Sequence, residues 1–141
     1  MLLKAPLATP LWLTYVESNL RLLIKHFADE NTSFSFCETF TGAPAGTIGW
    51  KDGAASYHYV INGRDVDIRQ GARQDVSLGV VVDYDGALRE ATQPYTPEFR
   101  RRRAEGLAPS FPITFQGDPH SMPEWLREIH NMNAAVTMEV E

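Results

Sequence analysis

The run from Asp75 to Leu88 constrains this chain more than any other stretch. Val76, Leu78, Val80 and Val82 alternate with smaller or polar neighbours, the period-two pattern of a half-buried strand. Asp83 then stands where a helix cap is needed, so the strand passes directly into a helix. A second strand signal, Phe111 to Gln116, ends in Gly117-Asp118 and is followed by an amphipathic run. Together they predict an α+β domain whose sheet is covered by helices, with an apolar space between the layers that a lipid could occupy.

The rest of the chain fits around this unit as a single domain, residues 1–141, with residues 1–10 a loosely held N-terminal arm. Thr9-Pro10 places a capping hydroxyl before a proline at the first helical position. Leu13, Val16, Leu20, Leu23 and Phe27 follow at spacings of 3 and 4, one stripe of a helix. From Ser33 the period changes to two, with Phe34, Phe36, Glu38 and Phe40 on one face of a strand. Gly42 to Gly46 reads as a loop, Thr47 to Lys51 as a short strand, and Asp52-Gly53 as a hairpin turn into a strand over Ala54 to Ile61. Asn62-Gly63 is a second hairpin signal, and Val66 and Ile68 alternate with charged residues beyond it, so the middle of the chain reads as an antiparallel meander. Helices are predicted over Tyr84 to Ala91 and from Thr96-Pro97-Glu98 to Gly106. Pro112 puts the last strand at a sheet edge or starts its pairing after that residue. Ser121-x-x-Glu124 is a capping box, and Met122, Trp125, Ile129, Met132 and Val136 behind it predict a closing amphipathic helix.

With 141 residues the chain can bury roughly 68% of its unfolded surface, enough for a core without staples. Its 18 acidic and 13 basic side chains leave a net charge of −5, which disfavours nucleic acid and anionic membrane surfaces as partners. The single cysteine, Cys37, excludes an internal disulfide. Pro6 and Pro10 interrupt the start too soon for a signal peptide, and no apolar run approaches the ~18 residues of a membrane span. The expectation is a cytoplasmic protein with no stable membrane insertion, for which a homodimer stays open.

Several residues have the chemistry to form a site. Glu38 shares a face with three phenylalanines; buried there, its carboxyl would resist ionisation and could act as a base or a polar anchor, while at a strand end it would reach water or an arginine. Tyr57 and Tyr59 share a face of the next strand and could bind a ligand hydroxyl or act as oxyanion donors, or simply pack. None of the four histidines has a metal-ligand spacing to another, and one cysteine adds no second thiol, so no metal site and no cofactor are expected. His130 borders the last apolar stripe, where it could pair with Glu38 or sit on the surface. Arg100 to Arg103 spread around a helix and cannot form one flat phosphate-binding stripe, although a local contact to an acyl carrier or a coenzyme A phosphate is open. Nucleotide-binding and hydrolase motifs are absent from the sequence.

The order of these elements, with "DVSL", Asp83-Tyr84, Ile113 and Gly117-Asp118, resembles the sterol-carrier-protein-2 family over roughly residues 15 to 137, most closely its stand-alone bacterial members. It departs from that pattern in the long Pro94-to-Pro109 segment and the longer closing helix. The resemblance implies an α+β fold, a mainly antiparallel five-stranded sheet covered by helices, enclosing an apolar tunnel for a fatty acyl chain, an acyl-CoA or a steroid. The ligand-binding residues it suggests are Phe34, Phe36, Phe40, Trp50, Trp125, Ile129 and Met132, to which the residue chemistry adds Glu38, Tyr57 and Tyr59. Such domains bind or present lipid without catalysis, so no catalytic residue is assigned. Two other classes compete: a small enzyme such as a ketosteroid isomerase or dehydratase with Glu38 as base, and a non-catalytic scaffold subunit.

Overall fold

The computed structural model describes residues 3–105 and 111–139. Gly106, the predicted helix end, and Pro109 lie outside the described residues, as do the first two residues of the predicted arm. Helix α1 spans Pro10–Phe27, and Thr9 Oγ1 accepts from the Trp12 amide at 3.3 Å as its cap. Its apolar stripe buries Trp12, Leu13, Val16, Leu20, Leu23 and Ile24, but not Phe27, which is 58% exposed at the last turn.

Strands β1 (Ser33–Thr41), β2 (Ala54–Asn62) and β3 (Asp65–Gln70) are joined in antiparallel sequence. Then β4 (Leu78–Asp83) pairs with β1 in parallel, and β5 (Ile113–Gly117) pairs antiparallel with β4. The five strands lie in the order β3-β2-β1-β4-β5. The sheet is therefore mixed, mainly antiparallel with one parallel pairing, and the meander stops at β3. Both edges of β2 are filled, by β3 and β1, and the returning chain pairs with the open edge of β1 and leaves that of β3 unpaired. To reach the β1 edge, residues 71–77 cross the outer face of the sheet. Arg73 N approaches Cys37 Sγ at 3.4 Å, His58 Nδ1 meets Gly71 O at 2.8 Å, and Ser77 N donates to Ser35 Oγ at 2.8 Å. This crossing explains why β4 begins at Leu78 and not at the predicted Asp75.

The other face carries the core. Helix α2 (Tyr84–Glu90) follows β4 without a loop, and Asp83 caps it by accepting from Gly86 N at 3.1 Å. Helix α3 (Pro97–Ala104) is capped by Thr96 and buries none of its residues. Helix α4 (Ile129–Val136) closes the chain against α1, where Trp12 Nε1 donates to Thr137 Oγ1 at 3.0 Å.

Three local expectations are corrected. The segment before α1 is not loose: Ala5, Leu7 and Ala8 are buried, and Ala5 N donates to Val136 O at 2.9 Å while Met138 N donates to Ala5 O at 2.8 Å. Thr47 to Lys51 forms turns with a single bridge, Lys51 to Ala54, because Ile48 bonds instead to Ala8 O and to Ser56 N. The capping box does not form. Ser121 Oγ donates to Asp118 O at 2.6 Å, short 3-10 turns occupy Pro119–Ser121 and Glu124–Glu128, and the α-helix starts only at Ile129. Pro119 and Pro123 break the approach by removing backbone donors and fixing φ.

Candidate functional site

The inner face of the sheet is built in rows. Strand register sets Tyr57, Glu38, Val80 and Phe115 side by side across four strands. The row on one side is Tyr59, Phe36 and Leu78, and on the other Ala55, Phe40, Val82 and Ile113. Glu38 is thus the one ionisable acid in the middle of an aromatic and aliphatic wall. Between this wall and the helices lies a partly open cavity of ≈ 830 Å³. Its far walls come from Leu7, Trp12 and Val16 on the α1 side, Ala87, Glu90 and Ala91 around α2, and Ile129, His130 and Asn133 on α4.

Of the ten residues suggested from sequence, Phe36, Glu38, Phe40, Tyr57, Tyr59 and Ile129 line this cavity. Phe34 sits in the core against Tyr59, with 6.4 Å between ring centroids, outside the lining. Trp50 is 44% exposed on the 42–53 loop and donates from Nε1 to Ala43 O at 3.0 Å. Trp125 stacks on Phe27 with centroids 6.2 Å apart, and Met132 packs on the core without facing the cavity. Apolar periodicity reports that a side chain is buried, not which of two packed surfaces it meets. Sequence reasoning passed over Trp12, the β4 residues Leu78, Val80 and Val82, and the polar group Glu90, Tyr95, Arg100 and Arg103 as lining. The β4 residues carried a usable signal in their alternation. Glu90 and Tyr95 carried none.

Two carboxylate–phenol pairs face the cavity. Tyr57 Oη donates to Glu38 Oε1 at 2.8 Å, and Tyr95 Oη donates to Glu90 Oε1 at 2.8 Å. Desolvation is the main cause that pushes the Glu38 carboxyl up to about 7; the Tyr57 hydrogen bond opposes it and the Glu90 charge adds to it. Glu38 lies deep in the molecule yet is only half-buried as a surface, because the surface it keeps faces the cavity. Burial also raises Tyr57, Tyr59 and Tyr95, so all three phenols are neutral, and Tyr57 and Tyr95 are donors.

His130 does not reach Glu38. Its ring stacks on Tyr95 and its Nε2 donates to Gln93 O at 2.7 Å, while burial lowers its pKa. Arg103 lies over the Tyr95 ring, 5.5 Å from its centroid. Within the arginine run, Arg100 and Arg103 face the cavity, whereas Arg101 turns outward to Glu98 and Glu105. The spacing of three explains the split, since residues three apart share a helix face. Among the described residues no cluster of three or more His, Cys, Asp or Glu side chains is arranged to hold a metal, and no helix is long and apolar enough to cross a membrane.

No protein-family model matches the chain, and no curated protein matches it in sequence. Solved structures do resemble it. A crystal structure of sterol carrier protein 2 superposes with a TM-score of 0.59 at 11% identity, covering 93% of this chain and 99% of that one. A conserved hypothetical protein of Thermus thermophilus, described as "possibly sterol carrier protein", superposes with a TM-score of 0.52 at 11% identity over 100% of this chain and 99% of its own. At such identities the likeness concerns the fold alone, over nearly the whole span of each chain. The chain therefore has a sterol-carrier-protein-2-like fold, the α+β fold that its sequence resemblance implies.

Proposed function

We propose that this protein binds an apolar small molecule, a fatty acyl chain, an acyl-CoA or a steroid, and carries it in the cavity between sheet and helices without covalent chemistry. The observation that carries this reading is the cavity itself, ≈ 830 Å³ and walled by Trp12, Phe36, Phe40, Leu78 and Val82. Ligand sites of roughly 300–1,000 Å³ with mainly apolar walls and a few polar groups are the usual setting for such molecules. The solved neighbours described as sterol carriers support the same class. In this reading the protein works in the cytoplasm and has no nucleic-acid partner.

Native mass spectrometry of the purified protein tests it. A co-purifying acyl or steroid molecule, released on denaturation, is the expected result. An empty protein that takes up no member of a panel of fatty acids, acyl-CoAs and steroids would overturn it.

The Glu38–Tyr57 pair favours a second reading, proton transfer of the ketosteroid isomerase or dehydratase type. A carboxyl at about 7 is poised to accept and return a proton near neutrality, and a neutral phenol can stabilise an oxyanion. In that case Glu38→Gln abolishes turnover of a steroid enone substrate while the fold is retained. Unchanged turnover excludes the role.

A further inference from the structure

We propose that the ligand carried here is polar at both ends, with an uncharged oxygen group, a hydroxyl or a carbonyl, at Glu38 in the closed end of the cavity and an anionic group at Arg100 and Arg103 in its open end. This rests on the carrier reading above and names the ligand chemistry within it: a fatty acid oxygenated at its far end, or a steroid with an oxygenated ring and an acidic side chain.

Exposure separates the two ends. Along the row across the sheet it rises from 4% at Tyr57, through half-buried Glu38 and Val80, to 42% at Phe115. Trp12, Tyr57 and Tyr59 on the cavity wall are buried, whereas Arg100, Ala104 and Phe115 are exposed, so the cavity is closed under α1 and open toward β5 and α3. Glu38 and Phe115 stand two strands apart, a span of about 10 Å along the row.

At the closed end, burial keeps a proton on Glu38 up to about pH 7. Tyr57 donates to Oε1, and Oε2 has no hydrogen-bond partner among the described residues. Every fully buried side-chain nitrogen and oxygen there is bonded, so Oε2 keeps surface toward the cavity. The protonated carboxyl therefore presents one O–H between Phe36 and Phe40, and a hydroxyl or carbonyl oxygen accepts it. A methyl end would cover this donor and leave it unpaired. A carboxylate end would enter an aromatic wall beside the charge of Glu90, and no arginine among the described residues forms an ion pair with Glu38 to help hold it.

At the open end the arginines divide by direction. Arg101 turns outward and pairs with Glu98 and Glu105, whereas Arg100 and Arg103 on the cavity side have no ion pair among the described residues. Arg127 is already matched by Glu124 at 3.2 Å. Arg103 rests over the Tyr95 ring, which holds its guanidinium at the wall. Arg100 and Arg103 are three residues apart on one helix face, close enough to share one carboxylate.

Two pairs of acids test the closed end: ω-hydroxydodecanoic against dodecanoic acid, and lithocholic against cholanic acid, which lacks the ring hydroxyl. All are titrated by calorimetry at pH 6, below the value at which Glu38 loses its proton. In wild type the hydroxylated member of at least one pair is expected to bind about 10-fold more tightly, and the pair that shows this names the fatty or the steroid source. The double variant Glu38→Leu, Tyr57→Phe leaves no buried hydroxyl orphaned and is expected to lose that preference while still binding the plain acid. Arg100→Gln with Arg103→Gln tests the open end. It is expected to weaken both members of the pair about 5-fold, to keep the hydroxyl preference, and to leave the methyl ester of the hydroxy acid unchanged. Absence of a hydroxyl preference in wild type, its survival in the Glu38, Tyr57 variant, or acid binding unaffected by the arginine changes overturns the assignment and leaves the carrier reading intact. Binding of none of these compounds overturns the carrier reading and this assignment with it.

Discussion

Tyr95 and His130 lie face to face, with ring centroids 3.6 Å apart and planes 4° from parallel. This contact links the segment before α3 to α4 beside the cavity. Phe99 also stacks on Tyr95, with centroids 4.8 Å apart, and Tyr95 N donates to Asn131 Oδ1 at 2.6 Å. Although α3 buries none of its own residues, this stack and its hydrogen bonds tie it to the body of the protein.

The first prediction concerns His130 and acid. Burial lowers its pKa below 6.5, so the folded ring stays neutral while an unfolded ring would take a proton. Its contribution is present above the unfolded value and is lost as pH falls. Glu90, Tyr95 and Arg103 face it, and of these Arg103 opposes its protonation. Amide exchange over residues 97–104, corrected for intrinsic rates, should therefore accelerate as pH drops from 7 to 5. In His130→Phe, which keeps the stack and removes the titration, that acceleration should disappear. Equal pH dependence in both proteins would refute it.

Glu38 gives the opposite sign. Its folded value of about 7 lies above its ordinary 4.5, so the folded state holds a proton that the unfolded state releases. Below about 4.5 both states are protonated and the group is neutral to stability; between 4.5 and 7 stability falls, and above 7 the loss is complete. The full loss is on the order of 3 kcal/mol. Urea denaturation across pH 4.5 to 8 should show this decline in wild type and a flatter curve in Glu38→Gln. A variant as steep as wild type would remove Glu38 as its source.

Tryptophan fluorescence should report the cavity through Trp12 and not through Trp125, since Trp12 lines it and Trp125 stacks on Phe27 outside it. A ligand that enters should change the emission of wild type and of Trp125→Phe, and leave Trp12→Phe nearly unchanged. The reverse pattern would place the ligand elsewhere.

Gly49 has φ +57, and a Cβ there would run into the backbone of Gly71 and Ser56. Gly49→Ala should destabilise the fold by about 2–4 kcal/mol, combining left-handed strain with a backbone clash. Gly71 also has positive φ, but open space surrounds its Cβ position, so Gly71→Ala should cost only about 1 kcal/mol. Thermal or urea unfolding of the two variants compares them directly, and equal losses would show that the clash is relieved by movement of the crossing segment.

Much of this fold is legible in the sequence. The alternation at Val76 to Val82 and the Asp83 cap give β4 and α2, and the Phe34, Phe36, Glu38 and Phe40 face is the inner face of β1. Thr9 and Thr96 cap the helices that their prolines announce. The failures also have local reasons. Two prolines on the approach to α4 overrode a capping box, and turn bonds to Ala8 and Ser56 replaced a predicted strand after Thr47.

Sequence by itself determined most of the strands and helices and which of their faces are apolar, because these follow from spacing, propensity and capping within a few residues. Only the tertiary structure decided that residues 71–77 cross the sheet so that β4 lies parallel to β1, because that depends on which of the open strand edges the returning chain takes. It also decided that Glu38 and Glu90, 52 positions apart, share one cavity with Tyr57 and Tyr95. Their meeting depends on register and on helices packed over the sheet, and no local pattern in the chain encodes a distance between side chains that far apart.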